Sequence, residues 1–76
     1  MNTNVSGIRL RELREQAGLT QVKLSELSGV PVVNICKMEK GNLPIVVRSL
    51  LRLARALQVN PFYLAGDVPE KIYQKN

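Results

Sequence analysis

The sequence has no histidine, no tryptophan and a single cysteine, Cys36. One cysteine cannot close an internal disulfide, and without histidine neither an ordinary His/Cys metal site nor a Ser-His or Cys-His nucleophile can be assembled. No apolar run approaches the ~18 residues that a membrane span requires, and residues 1–4 lack the basic and apolar regions of a signal peptide. We therefore expect a reduced cytoplasmic protein that needs no metal or other cofactor, does not bind membranes and is not an enzyme.

The length and the charge of the chain indicate what kind of partner it binds. Seventy-six residues form one small domain, and 11 Lys and Arg against 6 Asp and Glu give a net charge of +5. A basic balance is typical of nucleic-acid binders, although it can also serve solubility alone. The three aromatic residues, Phe62, Tyr63 and Tyr73, are too few for the stacking platforms that bind single strands. Duplex DNA is the favoured anion.

Turn signals divide the chain into five short helical stretches. The first covers about 6–17, the second begins at the N-cap Thr20 and ends at Gly29, and the third covers about 31–40. The fourth covers about 46–57, and the fifth lies between the N-cap Asn60 and Gly66. No segment alternates with period two, so the predicted fold class is all-α. We expect a disordered N-terminus over 1–4, a domain over 5–66 and a polar tail over 67–76.

Helical periodicity predicts which side chains form the core. The predicted inward-facing residues are Leu10, Leu13, Ala17, Leu24, Leu27, Ile35, Met38, Val47, Leu50, Leu51, Ala54 and Leu57. The second and third stretches are joined only by Gly29-Val30, and so short a link with a glycine predicts the sharp crossing of a helix-turn-helix.

A family resemblance follows from these residues. The residues that carry it are Gly18-Leu19-Thr20-Gln21, Leu24, Gly29-Val30, Ile35, Glu39-Lys40-Gly41 and the run Leu50-Leu51-Arg52-Leu53-Ala54-Arg55-Ala56-Leu57. This pattern resembles the lambda-repressor-like (phage repressor and Cro, or XRE, type) helix-turn-helix family and extends over about 5–66. The resemblance implies a compact five-helix domain that regulates transcription by binding a palindromic DNA operator as a homodimer. Cro-like phage regulators, restriction-modification controller proteins and small antitoxins all fit it.

The resemblance also implies which residues contact DNA. The third helix of the family lies in the major groove, and the matching base-contact positions are Val32, Val33, Asn34 and Lys37. The matching backbone-contact positions are Thr20, Gln21, Lys40, Asn42 and Arg48. For Thr20 and Lys40 the alternatives are a simple helix cap and a solvated helix end. Arg48 also belongs to a stripe with Arg52 and Arg55, which is more simply a solvated face.

The third helix departs from the family pattern at its start. Pro31 stands where a capping serine is usual, and valine cannot form the bidentate hydrogen bonds that read guanine or adenine. Val32 and Val33 therefore either pack on thymine methyl groups or form an apolar surface for a protein partner. In the second case the protein is an interaction module on the same scaffold. Cys36 is interpreted as a small, inert residue beside this surface.

Two further expectations come from the resemblance. An arginine late in the first helix pairs with a glutamate near the end of the third, and Arg14 and Glu39 match those positions. The candidate dimer-interface residues lie in the fifth helix and the tail: Pro61, Phe62, Leu64, Val68, Ile72 and Tyr73. For Phe62 and Leu64 the alternative is a place in the core.

Overall fold

A computed structural model describes residues 4–67, which form five α-helices. The helices are α1 (Val5–Gln16), α2 (Gln21–Ser28), α3 (Val32–Lys40), α4 (Val47–Leu57) and α5 (Pro61–Ala65). The all-α prediction is confirmed, and each predicted helix is present. Among the described residues, no helix has both the length and the apolar character needed to cross a bilayer.

Local sequence explains where the helices begin and end. Thr20 and Asn60 cap α2 and α5 as predicted, since their side-chain oxygens accept from the N–H groups of Lys23 and Phe62. The turn between α2 and α3 requires a left-handed residue, and Gly29 supplies it with φ +80°. Pro31 precedes α3 without a side-chain cap.

The first helix begins earlier than expected. Asn4 is its N-cap, and the Asn4 side chain accepts a hydrogen bond from the N–H of Gly7. The prediction that residues 1–4 are disordered is therefore wrong at Asn4, because a cap residue is fixed by the helix that it begins. The remaining three residues of that segment lie outside the described range, as does the tail from Val68 onward.

The core draws on all five helices. Its buried members are Leu10, Leu13, Leu24, Val30, Ile35, Met38, Leu53, Ala54 and Leu64. Helix α3 packs against α1 and α2, α4 packs against α2 and α5, and α5 also packs against α1. Arg9 strengthens the last contact, because its guanidinium donates to the Tyr63 carbonyl at 2.6 Å and lies 4.0 Å from the centre of the Tyr63 ring.

The predicted core is wrong at four positions. Ala17, Leu27, Val47 and Leu51 are exposed. In α4 the leucines and the valine form a band that is wider than the buried face, so periodicity alone does not select which part of the band is buried. Leu53, which was not among the predicted inward-facing residues, is fully buried. In the short helix α2, Leu24 is the one residue that is fully buried.

Candidate nucleic-acid interface

Helix α3 is held by one face and leaves the other face accessible. Ile35 and Met38 are buried in the core, and Val30 anchors the turn before the helix. On the other side, Val32 is 39% and Val33 56% exposed. The helix-turn-helix crossing and the inward residues predicted for its second helix, Ile35 and Met38, are confirmed.

The other predicted base-contact positions border the same accessible face. Lys37 is exposed, and Asn34 is half-buried. Cys36 is a free cysteine that is also half-buried. Two valines and one ammonium group are thus accessible on the outward side of α3, and the amide of Asn34 lies at its border. The outward side of α3 can therefore offer both apolar contact and hydrogen bonds to a binding partner of complementary shape.

The ion pair expected between Arg14 and Glu39 is present. The Arg14 Nε donates to Glu39 Oε2 at 2.7 Å, and Nη2 donates to Oε1 at 3.1 Å. The two side chains are only 12% and 5% exposed. The hydrogen bonds to Glu39 raise the pKa of Arg14, while partial burial of the guanidinium acts in the opposite direction. A third bond, from Arg14 Nη1 to the Leu19 carbonyl at 2.8 Å, extends the pair to the loop before α2.

Gln21 joins this network in a way that the sequence analysis missed. Its Nε2 donates to Glu39 Oε1 at 3.0 Å, so one carboxylate connects α1, α2 and α3. The spacing of residues gave no signal for this contact, because Gln21 and Glu39 are brought together only by the crossing of α2 and α3. The side chain of Gln21 is thus engaged within the protein on one of its amide hydrogens.

The predicted backbone-contact residues flank the accessible edge of α3 in the sequence. Thr20 is exposed, and its hydroxyl accepts from the Lys23 N–H at 3.0 Å. Lys40, Asn42 and Arg48 follow the buried residues of α3 in the sequence, and all three are exposed. The Asn42 N–H donates to the Lys37 carbonyl at 2.8 Å, which fixes the turn that ends α3. These positions offer N–H groups, an ammonium and a guanidinium, which are suited to oxyanions.

The remaining predicted site residues have different outcomes. Arg52 and Arg55 are exposed beside Arg48, as a solvated stripe requires. Phe62 is 62% exposed, which is available surface, and Pro61 is half-buried. The interface assignment of Leu64 is wrong, because this side chain is fully buried in the core and offers no area to a partner. Val68, Ile72 and Tyr73 lie outside the described residues.

Within residues 4–67, no three His, Cys, Asp or Glu side chains lie close enough together to hold a metal ion.

The sequence and structure match known proteins over most of the chain. A family model described as a helix-turn-helix domain matches residues 7–61. The repressor protein C2 of Salmonella phage P22 is 35% identical over 71 residues, which cover 92% of this chain and 33% of that protein. This chain thus spans about a third of that repressor, and it spans less than half of each of three other curated regulators that it matches.

Two solved structures are similar along nearly their whole length. The restriction-modification controller protein C.AhdI from Aeromonas hydrophila superposes with a TM-score of 0.75 at 39% identity, covering 80% of this chain and 94% of that one. The P22 c2 repressor, solved in complex with a synthetic operator, gives a TM-score of 0.75 at 34% identity, with 82% and 94% covered. The chain belongs to the lambda-repressor-like family of helix-turn-helix domains, as its crossing helices, its buried Arg14–Glu39 pair and these matches show.

Proposed function

We propose that this protein is a transcriptional regulator that binds double-stranded DNA by placing α3 in the major groove. The proposal rests on the observation that α3 is fixed on one side and accessible on the other. Its inner face is fixed by Ile35, Met38 and the Glu39 network, and its outer edge leaves Val32, Val33 and Lys37 accessible. A rigid helix with a free edge of this kind suits groove recognition. The P22 c2 repressor, which shares the fold, is bound to an operator in its solved complex.

Base recognition is assigned to four residues along the free edge. Val32 and Val33 can pack only on apolar atoms, and in the major groove those are the thymine methyl groups. Asn34 is suited to the edge of adenine, and Lys37 is suited to guanine or to a phosphate. We therefore expect a half-site that contains thymine at the positions facing the valines.

Backbone contacts complete the proposed interface. Thr20 and Gln21 stand at the N-terminus of α2, where unpaired N–H groups and the helix dipole attract phosphate. Because the Gln21 side chain already donates to Glu39, its proposed contact uses the backbone N–H and the second amide hydrogen. Lys40, Asn42 and Arg48 extend the contact beyond the end of α3.

A homodimer on a palindromic operator is part of the proposal. One α3 reads one half-site, and two copies reach successive major grooves when their recognition helices are about 34 Å apart. The exposed Phe62 beside Pro61 supports an interface around α5. Leu64 is buried and offers no surface to this interface, and the contributions of Val68, Ile72 and Tyr73 stay predictions.

The exposed valines also support a second candidate function. A pair of neighbouring apolar side chains on a fixed helix can dock a protein partner, which makes the domain an interaction module. The two candidates differ in their dependence on salt. Apolar docking changes little with ionic strength, whereas neutralising several phosphates releases counterions.

The testing experiment is a selection of bound duplexes from a random pool, followed by titration of the selected sequence at several salt concentrations. We expect the affinity to fall by orders of magnitude between about 50 and 200 mM salt. The symmetry of the selected sequence and the stoichiometry of the complex test the dimer. Failure to enrich any duplex would reject the proposed function and leave the interaction module.

A further inference from the structure

The side chain of Asn4 links the first turn of α1 to the last turn of α3. Its Oδ1 accepts from the Gly7 N–H at 3.1 Å, and its Nδ2 donates to the backbone carbonyl of Glu39 at 3.2 Å. Glu39 is the residue whose carboxylate binds Arg14 and Gln21. Glu39 is thus held at its side chain and, independently, at its main chain.

The space around Asn4 is reserved for this contact by two glycines. A Cβ atom at Gly41 would lie 2.9 Å from the Asn4 Nδ2 and 3.0 Å from its Cγ. A Cβ atom at Gly7 would overlap the Asn4 amide and the Met38 carbonyl oxygen. The amide of Asn4 therefore sits between the start of α1 and the end of α3, where a larger residue at either glycine would displace it.

The contact adds to the hydrogen bonding at the end of α3. The last carbonyl groups of an α-helix have no partner within the helix and need one from elsewhere. Here the Lys37 carbonyl accepts from Asn42 at 2.8 Å, and the Met38 carbonyl accepts from Gly41 at 3.1 Å. The Glu39 carbonyl accepts from the Asn4 side chain, 35 residues away in sequence. Asn4 thus contributes a tertiary cap to a helix to which it does not belong.

We propose that Asn4 is a positioning residue for α3, the helix that is proposed to read DNA. It fixes the C-terminal turn of α3, and with it the direction in which Lys40 and Asn42 leave the helix toward the DNA backbone. The DNA-binding part of this inference rests on the proposed function, whereas the effect on the turn does not. Asn4 acts through Glu39 and needs no contact of its own with DNA.

The test separates the two hydrogen bonds of Asn4. In Asn4→Ser the hydroxyl can still cap α1 at Gly7, but the amide that donates to Glu39 is gone. The matched control is Asn60→Ser, the same substitution at the N-cap of α5, where Oδ1 accepts from Phe62 N–H at 2.9 Å. Amide hydrogen exchange of Gly41 and Asn42 in the full chain reports on the turn, and exchange at Gly7 reports on the α1 cap.

We expect Gly41 and Asn42 to exchange about fivefold faster in Asn4→Ser, the effect of one ordinary hydrogen bond, and to be unchanged in Asn60→Ser. Unchanged exchange at both amides, or equal acceleration by the control, overturns the proposal. Should Asn4→Ser not fold, Asn4→Asp serves, because aspartate keeps the shape and the cap but carries no donor at neutral pH.

The second measurement is duplex binding. We expect Asn4→Ser to lose about three- to tenfold in affinity for the selected operator, with Asn60→Ser close to the parent protein. Normal binding by Asn4→Ser overturns the positioning role. If the parent protein binds no duplex, the proposed function fails, and the exchange measurement still decides whether Asn4 fixes the turn.

Discussion

Glu39 is the residue on which the orientation of α3 depends most. Its carboxylate accepts from Arg14 and Gln21, and its carbonyl accepts from Asn4, so three other segments converge on one residue. A carboxylate that is 5% exposed needs such partners, because an unpaired buried charge is costly. The pair with Arg14 followed from the resemblance. The other two partners are separated from Glu39 by 18 and 35 residues and carry no local signal in the sequence.

The value of the buried pair can be measured with Arg14→Ala. Removing one partner of a buried pair costs about 3–5 kcal/mol, because the other charge is left without compensation. The control is Arg11→Ala, which breaks the exposed pair with Glu15 and is expected to cost about 0–1 kcal/mol. Thermal denaturation of both variants checks this. Equal melting temperatures for Arg14→Ala and the parent protein would refute the role assigned to the pair.

The same variant carries a pH prediction. The pKa of Arg14 is raised in the folded state, so its stabilising effect is complete below the unfolded pKa and is lost only as pH rises through the folded value. Both values lie far above neutrality for arginine. The stability lost in Arg14→Ala should therefore be the same at about pH 6 and about pH 9. A loss that shrinks toward pH 9 would mean that a different group carries the effect.

Val33 provides the test of apolar base recognition. If it packs on a thymine methyl group, Val33→Ala should weaken operator binding about fivefold, since about 1 kcal/mol of apolar contact is lost. Replacing the contacted thymine by deoxyuridine removes the methyl from the other side and should cost a similar factor. The combined change should then cost little more than either alone. Fully additive losses in the titration would show that Val33 and the methyl do not touch.

At the scale of the helices, the sequence predicts where each helix begins and ends, but it does not predict which face of α4 is buried. The five helices begin and end within about a residue of prediction, because Thr20, Gly29, Asn60 and Gly66 act locally. The buried face of α4 could not be predicted in the same way. Its leucines and valine form a band that is wider than the buried face, and the packing against α2 and α5 selects Leu53 over Leu51.

The orientation of α4, with Leu53 buried and Leu51 exposed, gives a direct prediction about stability. Leu53→Ala should lower the free energy of unfolding by about 2–5 kcal/mol, because it leaves a cavity in the core. Leu51→Ala removes a side chain that is 53% exposed and should change stability by about 0.5 kcal/mol or less. Chemical denaturation of the two variants compares them. A larger loss for Leu51→Ala would mean that α4 is rotated from the orientation described above.

The crossing of α1 and α3 makes a second prediction at this scale. Gly7 lies inside a helix, where replacing glycine by alanine ordinarily stabilises by about 1 kcal/mol. Here the added Cβ overlaps the Met38 carbonyl oxygen, so we expect Gly7→Ala to destabilise by about 1–3 kcal/mol. Glu12→Ala, at an exposed position of the same helix, is the control in thermal denaturation. A stabilised Gly7→Ala variant would show that the two helices are further apart.

For the whole molecule, the account combines a rigid scaffold with an accessible edge and a basic charge. The net charge of +5 favours the approach to any duplex, and in the proposed function α3 presents the groups that distinguish bases. The base-contact residues on this edge are predictions that rest on the family resemblance. The sequence did not show how they are held, since the contacts of Asn4 and Gln21 exist only once all three helices have packed.

The most direct measurement is a set of titrations on the selected operator and on random duplex, with Asn34→Ala, Lys37→Ala and Lys40→Ala beside the parent protein. Asn34→Ala and Lys37→Ala should reduce the ratio of operator to random affinity by about tenfold, because base contacts carry about 1–3 kcal/mol of discrimination. Lys40→Ala should weaken both affinities and leave their ratio unchanged, as expected for a phosphate contact. Equal proportional losses on both duplexes for all three variants would contradict base recognition by α3.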